Sequence, residues 1–263
     1  MRIVRPVVDR VRDWFPWPVN RRPIFVLGNQ KSGTSAIAGL LGKATGLSAA
    51  IDIPGILEPV QQELHSGALP FGQFIKHNRY EFSRRIIKEP SLTLLVKHID
   101  EHFDAPRFVF VVRDPRQNIR SILNRLGLPG DQDEFDEELL SQTVTNWNSW
   151  KSVVDGRWLG IPHRDYVGAL AARWNLMFEV FDANRHRFVL ARYEEFLVDK
   201  SKFIQDLACD LDLVPRHSIV DVQDMQFQPR GDRLIAPLDF FGSANLSRIE
   251  TICSRQMKLL GYE

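Results

Sequence analysis

Two stretches, RRPIFVLGN (Arg21 to Asn29) and RFVFVVRD (Arg107 to Asp114), are apolar at every central position up to the closing Gly28 and Arg113, instead of at alternate ones. A strand with one wet face alternates with a period of two, so such runs need cover on both faces. A parallel sheet with helices above and below meets that condition. The rest of the chain agrees. Helical periodicity covers Gly33 to Lys43, and a short strand RRIIKE leads into a helical SLTLLVKHIDEHF. Pro115 opens a helix that runs to Leu126, and further helices are expected over Phe135–Val154 and Arg164–Ala183. A strand HRFVLARYE, a helix over Lys200–Leu211 and a last helix ending at Leu260 complete the pattern. Strand–helix alternation predicts an α/β fold in three layers around a central parallel sheet. One domain spans residues 22–263, and residues 1–21 form an N-terminal amphipathic helix.

In that helix, RIVRPVVDRVRDWF sets Val4, Val7, Val8, Val11, Trp14 and Phe15 on one stripe among arginines. The stripe suits either packing on its own domain, the favoured arrangement, or peripheral contact with a membrane surface through residues 2–15. No run of about 18 apolar residues exists to span a bilayer, and no secretory leader is recognisable. A cytoplasmic protein, with or without membrane association, is therefore expected. The formal net charge of +1 argues against a nucleic-acid partner, so any anion site must be local. Two cysteines, Cys209 and Cys253, make neither a zinc site nor a disulfide framework.

The first strand runs into FVLGNQKSGTS, Phe25 to Ser35. Gly28 and Gly33 have the separation of the nucleotide phosphate loop G-x-x-x-x-G-K-S/T, but Thr34 stands at the lysine position and the lysine lies inside the loop, at Lys31. Successive N–H groups of such a loop, followed by a helix N-terminus, make an anion cradle. The alternative is an ordinary hydroxyl-capped strand-to-helix turn. A P-loop nucleotide kinase or NTPase is the competing functional reading. It lacks its lysine at Thr34, and Arg113 closes the strand where a magnesium-binding carboxylate would be wanted.

The sequence resembles the sulfotransferases that use 3′-phosphoadenosine 5′-phosphosulfate, PAPS. Their phosphosulfate loop reads basic residue, hydroxyl residue, Gly, Thr, hydroxyl residue, matched by Lys31, Ser32, Gly33, Thr34 and Ser35. Their 3′-phosphate motif is a strand closing on arginine with a serine eight residues later, matched by Arg113 and Ser121, and Arg125 stands where many members carry a further arginine. The resemblance implies a P-loop-like phosphosulfate-binding loop, PAPS as co-substrate, no metal, and Lys31 bridging the leaving phosphate oxygen. It also implies that Tyr193 of RYEEF lines the nucleotide pocket and that Arg230 and Gly231 of QPRGDR cover it.

In the cytosolic branch a K-T-H segment supplies a lysine and a histidine base. Here RIIKEP keeps the lysine at Lys88 but puts Pro90 at the histidine position. The glycan branch reads E-K-S/T-P there and takes its base from a glutamate just over two dozen residues after the loop lysine. Glu58, 27 residues after Lys31, is thus the favoured base, with Lys88 orienting acceptor and sulfonate. Glu63, Glu89 and His98 are its rivals. Trp147, Trp150, Trp158, His163, Tyr166 and Trp174 fall where the family shapes its acceptor site, and at least half of them have helical spacing that suits a core. The acceptor is a glycan, a glycolipid or a small molecule.

Overall fold

The computed structural model describes residues 16–132, 136–144, 147–161, 165–224 and 235–262. The amphipathic stripe, His163, Arg230 and Gly231 lie outside these residues. Residues 16–21 are described and form no helix, so the helix expected over residues 1–21 does not extend into them. Instead they clamp onto the domain. The Asn20 N–H donates to the Phe82 carbonyl at 2.9 Å, and Arg21 pairs with Asp104 at 2.7 Å.

Five strands form one parallel sheet: β1 (Ile24–Gly28), β2 (Ala49–Ile51), β3 (Ile86–Lys88), β4 (Arg107–Val112) and β5 (Phe188–Arg192), in the order β2-β3-β1-β4-β5. Alternate residues of the two continuous runs point to opposite faces. Ile24 and Val26 of β1, with Val109 and Val111 of β4, pack under α1 (Thr34–Thr45). Phe25, Leu27 and Phe108 pack on the other face with Ile87, Leu92 and Ile99. All of these residues are at most 1% exposed, so both faces are dry, as the apolar runs require.

The helices between β2 and β4 are α2 (Val60–Ser66), α3 (Phe71–His77), α4 (Arg79–Phe82) and α5 (Val96–His102); a 3₁₀ segment, Pro90–Leu95, precedes the last of them. After β4 come α6 (Pro115–Leu126), α7 (Glu137–Thr143), α8 (Trp147–Val154) and α9 (Tyr166–Ala183). After β5 come α10 (Tyr193–Val198), α11 (Lys200–Asp210) and α12 (Pro237–Leu260), the last kinked at Gly242. The helix expected over Phe135–Val154 is thus two helices. Asp114 starts α6, its carboxylate accepting from the Arg116 N–H at 2.8 Å, with Pro115 at the first helical position. Among the described residues, no helix is long and apolar enough to cross a membrane.

The chain leaves β1 toward β2 and β3 but leaves β4 toward β5. A crevice therefore opens beyond the C-terminal ends of β1 and β4, where open parallel sheets bind ligands.

Candidate active site

The loop after β1 is held from below. Thr93 Oγ1 accepts the Gly28 N–H at 2.9 Å and lies 3.0 Å from the Gly28 carbonyl. A Cβ at Gly28 would sit 2.2 Å from the Val111 carbonyl oxygen, so only glycine lets the two strands stay together here. Buried Asn118 on α6 then ties the turn. Its Nδ2 donates to the Gln30 carbonyl at 2.8 Å and to Ser32 Oγ at 3.0 Å, and its Oδ1 accepts from Asn29 Nδ2 at 2.9 Å. Lys31 adopts a left-handed φ of 66° and Gly33 one of 99°. No side chain caps α1, whose N-cap is Gly33. That leaves a helix N-terminus built for an anion rather than for its own hydroxyl.

A cavity of about 560 Å³ lies over this loop. Its walls include Lys31, Gly33, Thr34 and Ser35 from the loop, Arg113 beyond β4, Ser121 and Arg125 on one face of α6, Lys88 at the end of β3, and Tyr193 opening α10. With Asp52 just past β2, every strand end contributes. Tyr193 lies against Gly33, where a Cβ would come within 2.2 Å of its ring, and the Arg113 guanidinium sits 4.8 Å over the same ring. Arg113 also donates to the Lys31 carbonyl at 3.2 Å.

Two expected residues stand outside the cavity lining. Ser32 is 1% exposed, and its hydroxyl accepts from Asn118 instead of lining the cavity. Glu58 is absent from the lining: the segment turns so that Ile53 to Leu57 face the cavity and Glu58 does not. Arg230 lies outside the described residues. Of the rival bases only Glu89 reaches the wall, while Glu63 is exposed and His98 lies beside Phe71, 6.1 Å between ring centres. Of the aromatics, Trp150 lines the cavity, Trp147, Tyr166 and Trp174 are core, and Trp158 meets His65 edge-on.

No protein-family model matches the chain, and no curated protein does. Among solved structures, a sulfotransferase of Mycobacterium avium superposes over 96% of this chain and 80% of its own, with a TM-score of 0.56 at 13% identity. The fold is the sulfotransferase fold. A sulfotransferase of Mycobacterium tuberculosis H37Rv (16% identity, 95% and 78% covered, TM-score 0.49) and a retinol dehydratase in complex with retinol and PAP (16%, 97% and 86%, 0.45) match more loosely, too loosely to add to that assignment.

Charge is unevenly distributed over this sulfotransferase fold. Lys31 is held down to about 8, first by burial and then by Arg125, Arg113 and Lys88, with Asp52 opposing. Lys88 is 3% exposed and pairs with Asp52, a cavity residue just past β2 with a left-handed φ of 69°. Burial raises the Glu89 carboxyl, opposed by Lys88 and by N–H donation from Ser91 (3.0 Å) and Ile53 (3.1 Å). Both of its oxygens are therefore committed to backbone.

Beneath the loop, Arg173 of α9 is fully buried. Its Nη2 donates to Gln30 Oε1 at 3.2 Å, and its Nε and Nη1 have no hydrogen-bond partner among the described residues. Burial pushes it down to about 9. Asp52, Asn118 and Arg173 carry no local sequence motif. An asparagine on the buried side of α6 was the one signal available, a polar residue in an apolar row.

Proposed function

We propose that the protein is a PAPS-dependent sulfotransferase, moving a sulfonate group to a hydroxyl or amine of its acceptor by in-line transfer. One observation carries the reading: the loop lysine and the Arg113–Ser121–Arg125 set line the same cavity at a sheet switch point. PAPS supplies the sulfonate and a phosphate leaving group. The cradle suits such an end group, because no side chain caps the N-terminus of α1.

Lys31 is placed to neutralise charge that develops on the leaving oxygen. Arg113, Ser121 and Arg125 hold a second phosphate away from the first, a group ATP does not carry, and Tyr193 walls the nucleotide side. With Thr34 at the lysine position, the P-loop kinase or NTPase reading is not favoured. We assign proton removal to Asp52 in place of Glu58, since Asp52 lines the cavity beside Lys88 and Glu58 does not.

Calorimetry tests the donor. 3′-Phosphoadenosine 5′-phosphate (PAP) should bind at least about tenfold more tightly than adenosine 5′-phosphate, because charge-assisted hydrogen bonds to the extra phosphate contribute roughly 1.5–3 kcal/mol each. Activity should survive EDTA. Equal affinities, or a strict magnesium requirement, would return the chain to the kinase reading.

A further inference from the structure

We propose that the acceptor is an alcohol whose hydroxyl is carried on an apolar body, aliphatic or aromatic, and not a sugar. The inference rests on the sulfotransferase reading and concerns the half of the cavity that the donor residues leave. The segment after β2, the start of the 3₁₀ segment and α8 bring Ile53, Pro54, Ile56, Leu57, Pro90 and Trp150 to the cavity wall. None of these side chains can accept a hydrogen bond, and the only donor among them is the Trp150 indole N–H. Gln117, Arg120 and Asn124 ride on α6 with the donor residues Ser121 and Arg125, Gln30 belongs to the loop, and Lys200 and Gln223 come from the chain after α10; the polar groups that β2, β3 and α8 bring with the apolar ones are few. Lys88 and Asp52 are paired with each other. Both Glu89 oxygens already accept backbone N–H groups, from Ile53 and Ser91. Ser149 adds one hydroxyl.

A sugar carries a hydroxyl on most of its carbons. Each one dehydrated against this wall without a partner would lower affinity by about tenfold. An alcohol on an apolar body brings a single hydroxyl, which the Asp52–Lys88 pair can receive, and leaves only carbon to meet isoleucine, proline, leucine and tryptophan. Trp150 could stack on either kind of acceptor. Its neighbours decide between them, because a sugar presents its edge hydroxyls to whatever surrounds the stacked ring.

The test uses the full chain saturated with PAP and two probes, 2-naphthol and maltose. 2-Naphthol should bind at least about tenfold more tightly than maltose. In turnover with PAPS its kcat/KM should exceed that of maltose by about 100-fold or more. Trp150→Ala, and separately Leu57→Gln, should each weaken 2-naphthol by about tenfold while PAP affinity stays within about twofold of the parent. The retained PAP affinity shows that the variant is folded. Maltose binding as tightly as 2-naphthol, or 2-naphthol binding indifferent to both substitutions, would overturn the proposal. Failure of the parent protein to bind PAP would instead remove the donor reading, and this proposal with it. PAP binding with maltose preferred removes the acceptor proposal alone.

Discussion

Lys31 is the residue on which the donor chemistry turns, and its environment gives it a pH signature. Burial and three neighbouring cations hold its ammonium down to about 8. For a base, a lowered folded-state value means that the charged form costs the fold stability. The cost is present below about pH 8 and is relieved as pH rises through that value toward the unfolded one. An anionic nucleotide reverses the preference and draws the proton back. PAP affinity should therefore fall as pH rises from about 7 to about 9, and binding near pH 8.5 should take up about three-quarters of a proton. Calorimetry in buffers of different ionisation heat measures that uptake, and Lys31→Met should abolish it. Zero uptake in the parent would mean that Lys31 is not in contact with the bound anion.

The proton acceptor separates two residues six positions apart. Asp52→Asn should lower kcat by about 10²- to 10⁴-fold with PAP affinity nearly unchanged, as loss of a positioned base does. Glu58→Gln should turn over close to the parent. The reverse outcome would reinstate Glu58. At this scale the sequence was most legible where the motif is contiguous: the spacing of Lys31, Gly33, Thr34 and Ser35, and of Arg113, Ser121 and Arg125, survives folding because the first set rides on one loop and the second on one strand-to-helix junction. Asp52 reaches the cavity only because β2 and β3 are neighbours, a fact of sheet order that no local spacing encodes.

Among the elements, β1, β4 and α6 could be read with nearly correct ends, because dry strands and a Pro115-initiated helix have strong local causes. The weaker strand β2 is three residues long, and its sequence Ala49-Ala50-Ile51 carries little strand preference. It forms because β3 lies alongside, with Ile51 opposite Lys88, and that pairing carries Asp52 to Lys88. The SLTLLVKHIDEHF segment is helical as its periodicity suggests, but its first turn is 3₁₀. There Glu89 accepts from the Ser91 N–H while Pro90 fixes the first position, so the element that supports Thr93 under the loop is set by a cap. Asn118 shows the same limit from the other side. Its place on α6 could be counted from Pro115, but its partners come from the loop after β1.

At the scale of the whole molecule, four of the five strand ends deliver cations and hydroxyls to the C-terminal end of the sheet, while residues 20 and 21 tie the chain ahead of β1 to Phe82 and Asp104. Nothing in the bulk charge of +1 announces this concentration. Arg173 extends it into the core: a fully buried guanidinium, without an ion pair to a carboxylate among the described residues, that hydrogen-bonds to the loop at Gln30. A buried charge of this kind normally weakens a fold, and apolar replacements of buried ionic groups often stabilise by about 1–4 kcal/mol. Arg173→Met should therefore raise the melting temperature of the nucleotide-free protein and shrink the further rise that PAP produces, both read in one thermal scan series. A lower melting temperature with an undiminished PAP shift would make Arg173 a purely structural residue. If both changes occur, durability and donor capture are antagonistic traits in this fold. Selection for heat resistance alone would then erode anion affinity from a position that no ligand ever touches.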